Sequence, residues 1–161
     1  MVQQDPRHAT AREELGYCHH NRATAYYRLK KYTEAVKEWD KAIEFSPEEM
    51  LARRRAGRAN SRLRAGQVAE AIAEVNELTK AGNWSASQWY DFARIYSVAS
   101  GKDPAKQQVY ADRAMELLRK AVATGYKDVT HMKQDKDLDP LRSRPDFQKL
   151  LESLSPPKEK K

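Results

Sequence analysis

Apolar and small residues recur along the chain at the three- and four-residue steps of buried helix faces. Leu15, Ala23, Tyr26 and Leu29 give a first helix its stripe. Asp5-Pro6 opens that helix with an acceptor side chain ahead of a proline, and it runs to about Lys30. Only Gly16 interrupts it, so it is one rod or two segments meeting there. Lys31 and Tyr32 make a turn, and Thr33 is placed to cap a second helix with Ala35, Val36, Trp39, Ala42 and Ile43 inward. Ser46-Pro47-Glu48-Glu49 reads as a capping box that closes that helix and starts a third, from Pro47 to about Arg64.

The same alternation of stripes and stops continues. A fourth helix with Ala71, Val75 and Leu78 inward ends near Lys80, with Gly82 as a left-handed stop. Ser85 and Gln88 have capping-box spacing, and Trp84 and Trp89 are spaced for a hydrophobic staple at the start of a fifth helix. That helix carries Trp89, Phe92, Ala93 and Tyr96. After a loop at Ser100-Gly101-Lys102-Asp103, a sixth begins at Pro104 with Ala114, Leu118 and Ala121 inward, ending at Gly125. From Tyr126 the pattern changes: a short helix from Asp128 to about Lys133, a tight turn at Asp137–Leu141, and an amphipathic helix from Pro145 to Leu154. Ser155 to Lys161 reads as a disordered basic tail.

Between His19 and Pro47 the intervals are specific. Ala23, Tyr26, Ala35, Trp39, Ala42 and Pro47 supply small residues where two antiparallel helices cross, aromatics on either side, and a proline that stops the second helix. The stretch resembles a tetratricopeptide repeat (TPR). The resemblance extends over roughly 15–125 and implies an all-α array of three antiparallel helix pairs, about 15–47, 48–81 and 85–125, wound as a right-handed superhelical solenoid. Residues 1–14 extend the first helix, and 126–154 form an irregular helical cap. Moving 34 positions on from Ala23, Tyr26 and Leu29 reaches Gly57, Asn60 and Leu63, whereas Ala35, Trp39 and Ala42 reach Ala71, Val75 and Leu78 at 36. The second repeat is therefore expected to have a turn two residues longer, around Ala65-Gly66-Gln67. A uniform shift of 36 would set Arg58 and Arg62, unpaired, in the core. The run from Trp89 through Asp139-Pro140-Leu141 to Arg144-Pro145-Asp146-Phe147 also resembles the closing segment of TPR regions in bacterial signalling proteins, including some serine/threonine kinases. None of the kinase's own motifs is present. The first helix enters the array with no repeat before it, which suits a piece of a longer array.

Composition narrows the class. With 161 residues, 40% hydrophobic, 33% charged and 6 glycines, the chain is a helical domain or short array able to bury a core. Its one cysteine, Cys18, allows no internal disulfide. No apolar run reaches membrane-spanning length and Met1–Thr10 has no signal-peptide core, so a cytoplasmic location is expected. The net charge of +7 is uneven: Arg53, Arg54, Arg55, Arg58, Arg62 and Arg64 fall between Met50 and Ala69 with no acidic residue. Such a run is a solvated face or a site for something acidic.

Catalytic and metal chemistry is not legible. Adjacent His19 and His20 point about 100° apart on a helix, and Cys18 has no activating lysine beside it. Asp135, Asp137 and Asp139 alternate like a calcium loop, but Pro140 stands where glycine is required. The expectation is no enzyme, no metal and no cofactor.

The repeat resemblance implies that the first helix of each pair lines a concave side. It would carry His20, Asn21, Thr24, Tyr27 and Arg28 from the first pair. The second would add Arg54, Arg58 and Arg62 as a stripe with Arg55 beside it. From the third would come Ser87, Tyr90, Asp91, Arg94 and Ser97. Arginines flanked by tyrosines suit an acidic protein or peptide segment. The family's carboxylate clamp for chaperone C-termini would need lysine and asparagine at places held by His20, Thr24, Arg55, Ser87 and Asp91, so chaperone binding is not expected. The alternatives are a spacer or dimerisation element of a longer signalling protein, and a nucleic-acid-binding module that uses the arginine stripe.

Overall fold

The computed structural model describes residues 6–154. The expected Asp5 cap and the tail from Ser155 to Lys161 lie outside the described residues. The elements are α1 (Pro6–Arg28), α2 (Tyr32–Glu44), α3 (Glu48–Arg64), α4 (Val68–Lys80) and α5 (Ala86–Lys102), a 3-10 turn (Pro104–Lys106), α6 (Gln107–Ala123), α7 (Val129–Gln134), a second 3-10 segment (Lys136–Leu141) and α8 (Pro145–Leu154). Helices and 3-10 turns are the only regular structure among the described residues. The chain divides into two compact units, the first ending at Lys80 and the second beginning at Ala81.

In the first unit α1 packs on α2, α2 on α3, and α3 on α4. Ala23, Ala35 and Ala42 are fully buried around Trp39, with Tyr26 and Tyr27 against the same cluster. The small residues let the helices approach and the indole fills what remains. The Trp39 Nε1–H donates to Ser61 Oγ at 3.1 Å, and Ser61 donates onward to the Gly57 carbonyl at 3.0 Å. Gly57 lies under the indole: a Cβ there would sit 2.6 Å from the ring. α1 is one uninterrupted helix, and Gly16 is needed for closeness, since a Cβ would meet Arg54 Nη1 at 2.5 Å and the Phe45 carbonyl at 2.9 Å.

The register of the second pair corrects the sequence expectation. α2 begins at Tyr32 and α4 at Val68, and they end at Glu44 and Lys80, an offset of 36 at both ends. The turns match too. Lys30 and Gly66 both take positive φ, 59° and 87°, and the Lys31 and Gln67 amides donate to the Tyr26 and Arg62 carbonyls. Fully buried Ala59, not Gly57, is the counterpart of Ala23. The turn is therefore not lengthened. The extra residues fall between successive pairs, and Arg58 and Arg62 do stand at inward positions, where they are paired.

Two expected caps are not formed. Lys31, not Thr33, precedes α2 without a side-chain cap, and Pro47 precedes α3 the same way. Ser46 turns back instead and donates to the Ala42 carbonyl at 2.8 Å.

In the second unit α5 packs on α6, with Trp89, Phe92, Ala93 and Tyr96 buried, as are Ala114, Leu118 and Ala121. Ser85 and Gln88 form the capping box their spacing predicts. Trp84 meets Phe92 edge-on at 5.0 Å. α5 runs through the expected loop to Lys102 and closes against Pro140, whose Cγ would be 3.3 Å from a Cβ at Gly101. Met132, Leu138, Leu141 and Phe147 are fully buried, so residues after Tyr126 belong to this unit's core.

Gly57→Ala is expected to destabilise the protein by about 1–3 kcal/mol, because the added methyl must displace a packed indole. Urea unfolding followed by circular dichroism measures it.

Candidate functional site

The arginines of α3 sort into two environments. Glu74 enters from α4 with only 5% of its surface exposed. Its Oε1 accepts from Arg55 Nε at 3.2 Å and Arg58 Nη2 at 2.5 Å, and its Oε2 from Arg58 Nε and Arg62 Nη1, both at 3.1 Å. Arg58 grips the carboxylate with two nitrogens and uses its third on Asp40 Oδ1 of α2, at 2.7 Å. Burial works against the charge of Arg58, but these hydrogen bonds and the two carboxylates hold its pKa above the ordinary arginine value. A single carboxylate thus organises three guanidinium groups, which with Asp40 leaves a surplus of positive charge.

Arg54 faces elsewhere. It is 0% exposed, wedged between Gly16 of α1 and the end of α2. Nη1 donates to the Ala42 carbonyl at 2.7 Å and to Ser46 Oγ at 2.6 Å. A cation at the C-terminal end of α2 meets the negative end of its dipole, and Arg12 adds a second contact there by donating from Nη2 to the Glu44 carbonyl. Burial lowers the Arg54 pKa, and no carboxylate offsets it. The exposed stripe expected of Arg54, Arg58 and Arg62 is therefore corrected: Arg54 is internal, and the other two point at Glu74.

The α1 residues lie at the margin of this region. His20 meets the Trp39 ring edge-on at 4.9 Å and accepts at its carbonyl from Thr24 Oγ1. Tyr27 packs edge-on against Tyr32 at 5.4 Å, while Asn21 and Arg28 are exposed. Next to His20, His19 Nδ1 lies 2.7 Å from Glu38 Oε2, and Arg22 Nη2 lies 2.8 Å from Oε1. Sequence reasoning missed Glu38 and Glu74. The available signal was their common offset: His19, Arg22 and Glu38 recur 36 positions on as Arg55, Arg58 and Glu74.

In the second unit the expected α5 residues are already engaged. Tyr90 is buried, stacked on Tyr126 at 4.2 Å, and donates to Asp135 Oδ2 at 2.9 Å. Burial, then the hydrogen bond to Asp135, raises the Tyr90 pKa. Arg94 pairs with Asp135 Oδ2 at 2.9 Å and Asp137 Oδ2 at 2.7 Å. Ser97 is enclosed, while Ser87 and Asp91 remain at the surface. The aspartates that alternate like a calcium loop are thus bound to cations and caps, with Asp135 accepting from the Asp137 amide.

Among the described residues no group of three or more His, Cys, Asp or Glu side chains is placed to hold a metal ion. None of the described helices is long and apolar enough to cross a membrane. The intervals of α1 and α2 find a counterpart among known families. Residues 16–49 match the tetratricopeptide repeat. Comparison with curated proteins and with solved structures gives no match. The matched TPR motif covers α1 from Gly16 and all of α2, and the 36-residue offset carries its helix and turn geometry into α3 and α4. Besides the buried alanines, the two pairs share an ion pair from the first helix to a carboxylate on the second.

Replacing Glu74 with Gln removes the one charge that three arginines share, and the loss of stability is expected to be about 3 kcal/mol. The same Glu→Gln change at exposed Glu70 should cost less than about 0.5 kcal/mol. Urea unfolding of the two variants side by side measures the difference.

Proposed function

We propose that the chain is a non-catalytic protein-interaction scaffold that binds an acidic peptide or protein segment through the arginine-bearing surface of α3. The observation that carries this reading is the charge surplus there: among the described residues Arg53, Arg55, Arg58 and Arg62 have only Glu74 and Asp40 as ion-pair partners, with Glu77 acting on Arg55 from farther off. Among the described residues Arg55 uses only Nε, and Arg62 only Nη1. Their remaining N–H groups are donors for a further carboxylate. The second unit supplies a chemical precedent, since Arg94 and Tyr90 hold an Asp-Lys-Asp segment of the chain itself. In this reading the partner runs along the first helices of the TPR-type pairs, with His20, Asn21, Thr24, Tyr27 and Arg28 flanking the arginines.

The test follows from the geometry. Arg54 caps α2 and Arg58 anchors Glu74, so both stay; Arg53, Arg55 and Arg62 are changed together to Gln. The variant is expected to keep its helicity and lose the partner that the wild-type chain captures from a lysate, read by mass spectrometry. Equal capture by both would overturn the reading.

A second reading, a spacer or dimerisation element of a longer bacterial signalling protein, draws on one observation. Leu15, 49% exposed, shares a face of α1 with Cys18 and Ala25, and Leu29, 66% exposed, follows in the turn just past the helix end. The resemblance of 89–147 to the closing segment of signalling TPR regions agrees with it. On this reading light scattering after size exclusion gives a dimer, and Leu15→Glu with Leu29→Glu returns a monomer.

A further inference from the structure

The most anomalous group in the molecule is the Arg54 guanidinium. It is fully enclosed, and its Nε and Nη2 have no hydrogen-bond partner among the described residues. A buried charged donor left unpaired is costly, and native structures keep such groups for a reason. The fixed half of the side chain is explained: Nη1 holds Ala42 and Ser46 at the end of α2. The free half is the Nε–Nη2 edge, the side of the fork that takes a carboxylate in two parallel hydrogen bonds.

The ring of Tyr17 lies over this group. The Tyr17 ring centroid lies 5.3 Å from the Arg54 guanidinium carbon, and Tyr17 is itself 48% exposed. Rotation of one exposed tyrosine therefore requires no rearrangement of helices. A second unpaired atom lies in the same region, the buried Nδ1 of His20. Burial, then the charges of Arg54 and Arg53, lower the His20 pKa, so both cations act on this ring. Arg53 is exposed beside the cluster. Two cations thus act on a ring whose Nδ1 is unpaired, and among the described residues no acidic side chain is hydrogen-bonded to any of the three.

We infer that Arg54, beneath Tyr17, is a covered carboxylate-binding site of the partner surface, in which a carboxylate displaces the tyrosine ring and accepts from Nε and Nη2. The site takes one carboxylate of a protein segment, from an acidic side chain or a chain terminus. It rests on the reading of the chain as a binder of acidic segments and adds a point of attachment separate from Arg55 and Arg62. Tyr17 sets its affinity, because the ring must leave before the anion enters.

Sodium acetate titration of the 15N-labelled chain, at constant ionic strength against chloride, tests the site directly through the Arg54 Nε–H and His20 ring resonances. A saturable shift at both is expected, with several-fold tighter apparent binding in Tyr17→Ala, where the cover is gone. Arg54→Lys keeps a cation for the end of α2 but lacks the two-point edge, and it should lose the response while circular dichroism stays unchanged. No saturable shift at Arg54 in Tyr17→Ala would overturn the inference, as would an unaltered response in Arg54→Lys.

Two fluorescein-labelled peptides then separate the sources. One has a free C-terminal carboxylate and no acidic side chain; the other is C-terminally amidated with one glutamate. Arg54-dependent anisotropy with either supports the site and names its source. Acetate binding with neither peptide bound overturns a protein segment as the occupant. A pull-down unchanged by the Arg53, Arg55 and Arg62 substitutions alongside an intact acetate response removes the α3 reading while leaving this site.

Discussion

A guanidinium group cannot shed its charge, so wherever the fold turns one inward an acceptor must follow it. That constraint shapes the first unit. The arginines of α3 cover more than half of its circumference, and because the helix packs on both α2 and α4, some of them must face a neighbour. The solution is Glu74, buried on α4 and shared by Arg55, Arg58 and Arg62. Glu38 does the same on a smaller scale for His19 and Arg22. Shape complementarity between helices is supplied by Ala23, Ala35, Ala42 and Trp39, while the relative rotation of each pair is fixed by charge.

The same constraint joins successive pairs. Arg54 lies flat on Gly16 and donates to the last turn of α2, so one side chain of α3 touches α1 and α2 together. Ser46 would otherwise be free to cap α3. Because it accepts from Arg54 and donates to Ala42, α3 starts without a side-chain cap. A local rule is set aside where a non-local ion needs the same oxygen.

Legibility follows this division. The small and aromatic positions from Ala23 to Ala42, the Ser85–Gln88 box and the Leu- and Phe-rich closing helices were readable because packing and capping are encoded by spacing within one element. The register of α3 was not. A lone arginine at an inward position reads as prohibitive, and only a partner on the next helix reverses the sign of that argument. The partner was present in the sequence at the same offset as Glu38, but charge pairs across helices have no local signature. For the same reason Arg54 reads as surface from the sequence: its acceptors are a backbone carbonyl and a serine hydroxyl, which composition does not reveal.

The two units differ in what an acidic partner could reach. On α5 the cations are held by Asp135 and Asp137, and the segment that carries them also buries Leu138 and Leu141 completely. Burying each leucine contributes about 1.5–3 kcal/mol, whereas a carboxylate exchanged for a carboxylate gains almost nothing. A competing acidic peptide could match the charges of the closing segment but not its apolar anchors, so the α5 face is part of the core. On α3 no such anchor accompanies the ions. Arg55 and Arg62 are tied to Glu74 by one nitrogen each, and nothing apolar has to be withdrawn for a second carboxylate to approach. The proposed recognition of acidic segments therefore rests on the first unit, where the internal carboxylate orients the arginines without saturating them.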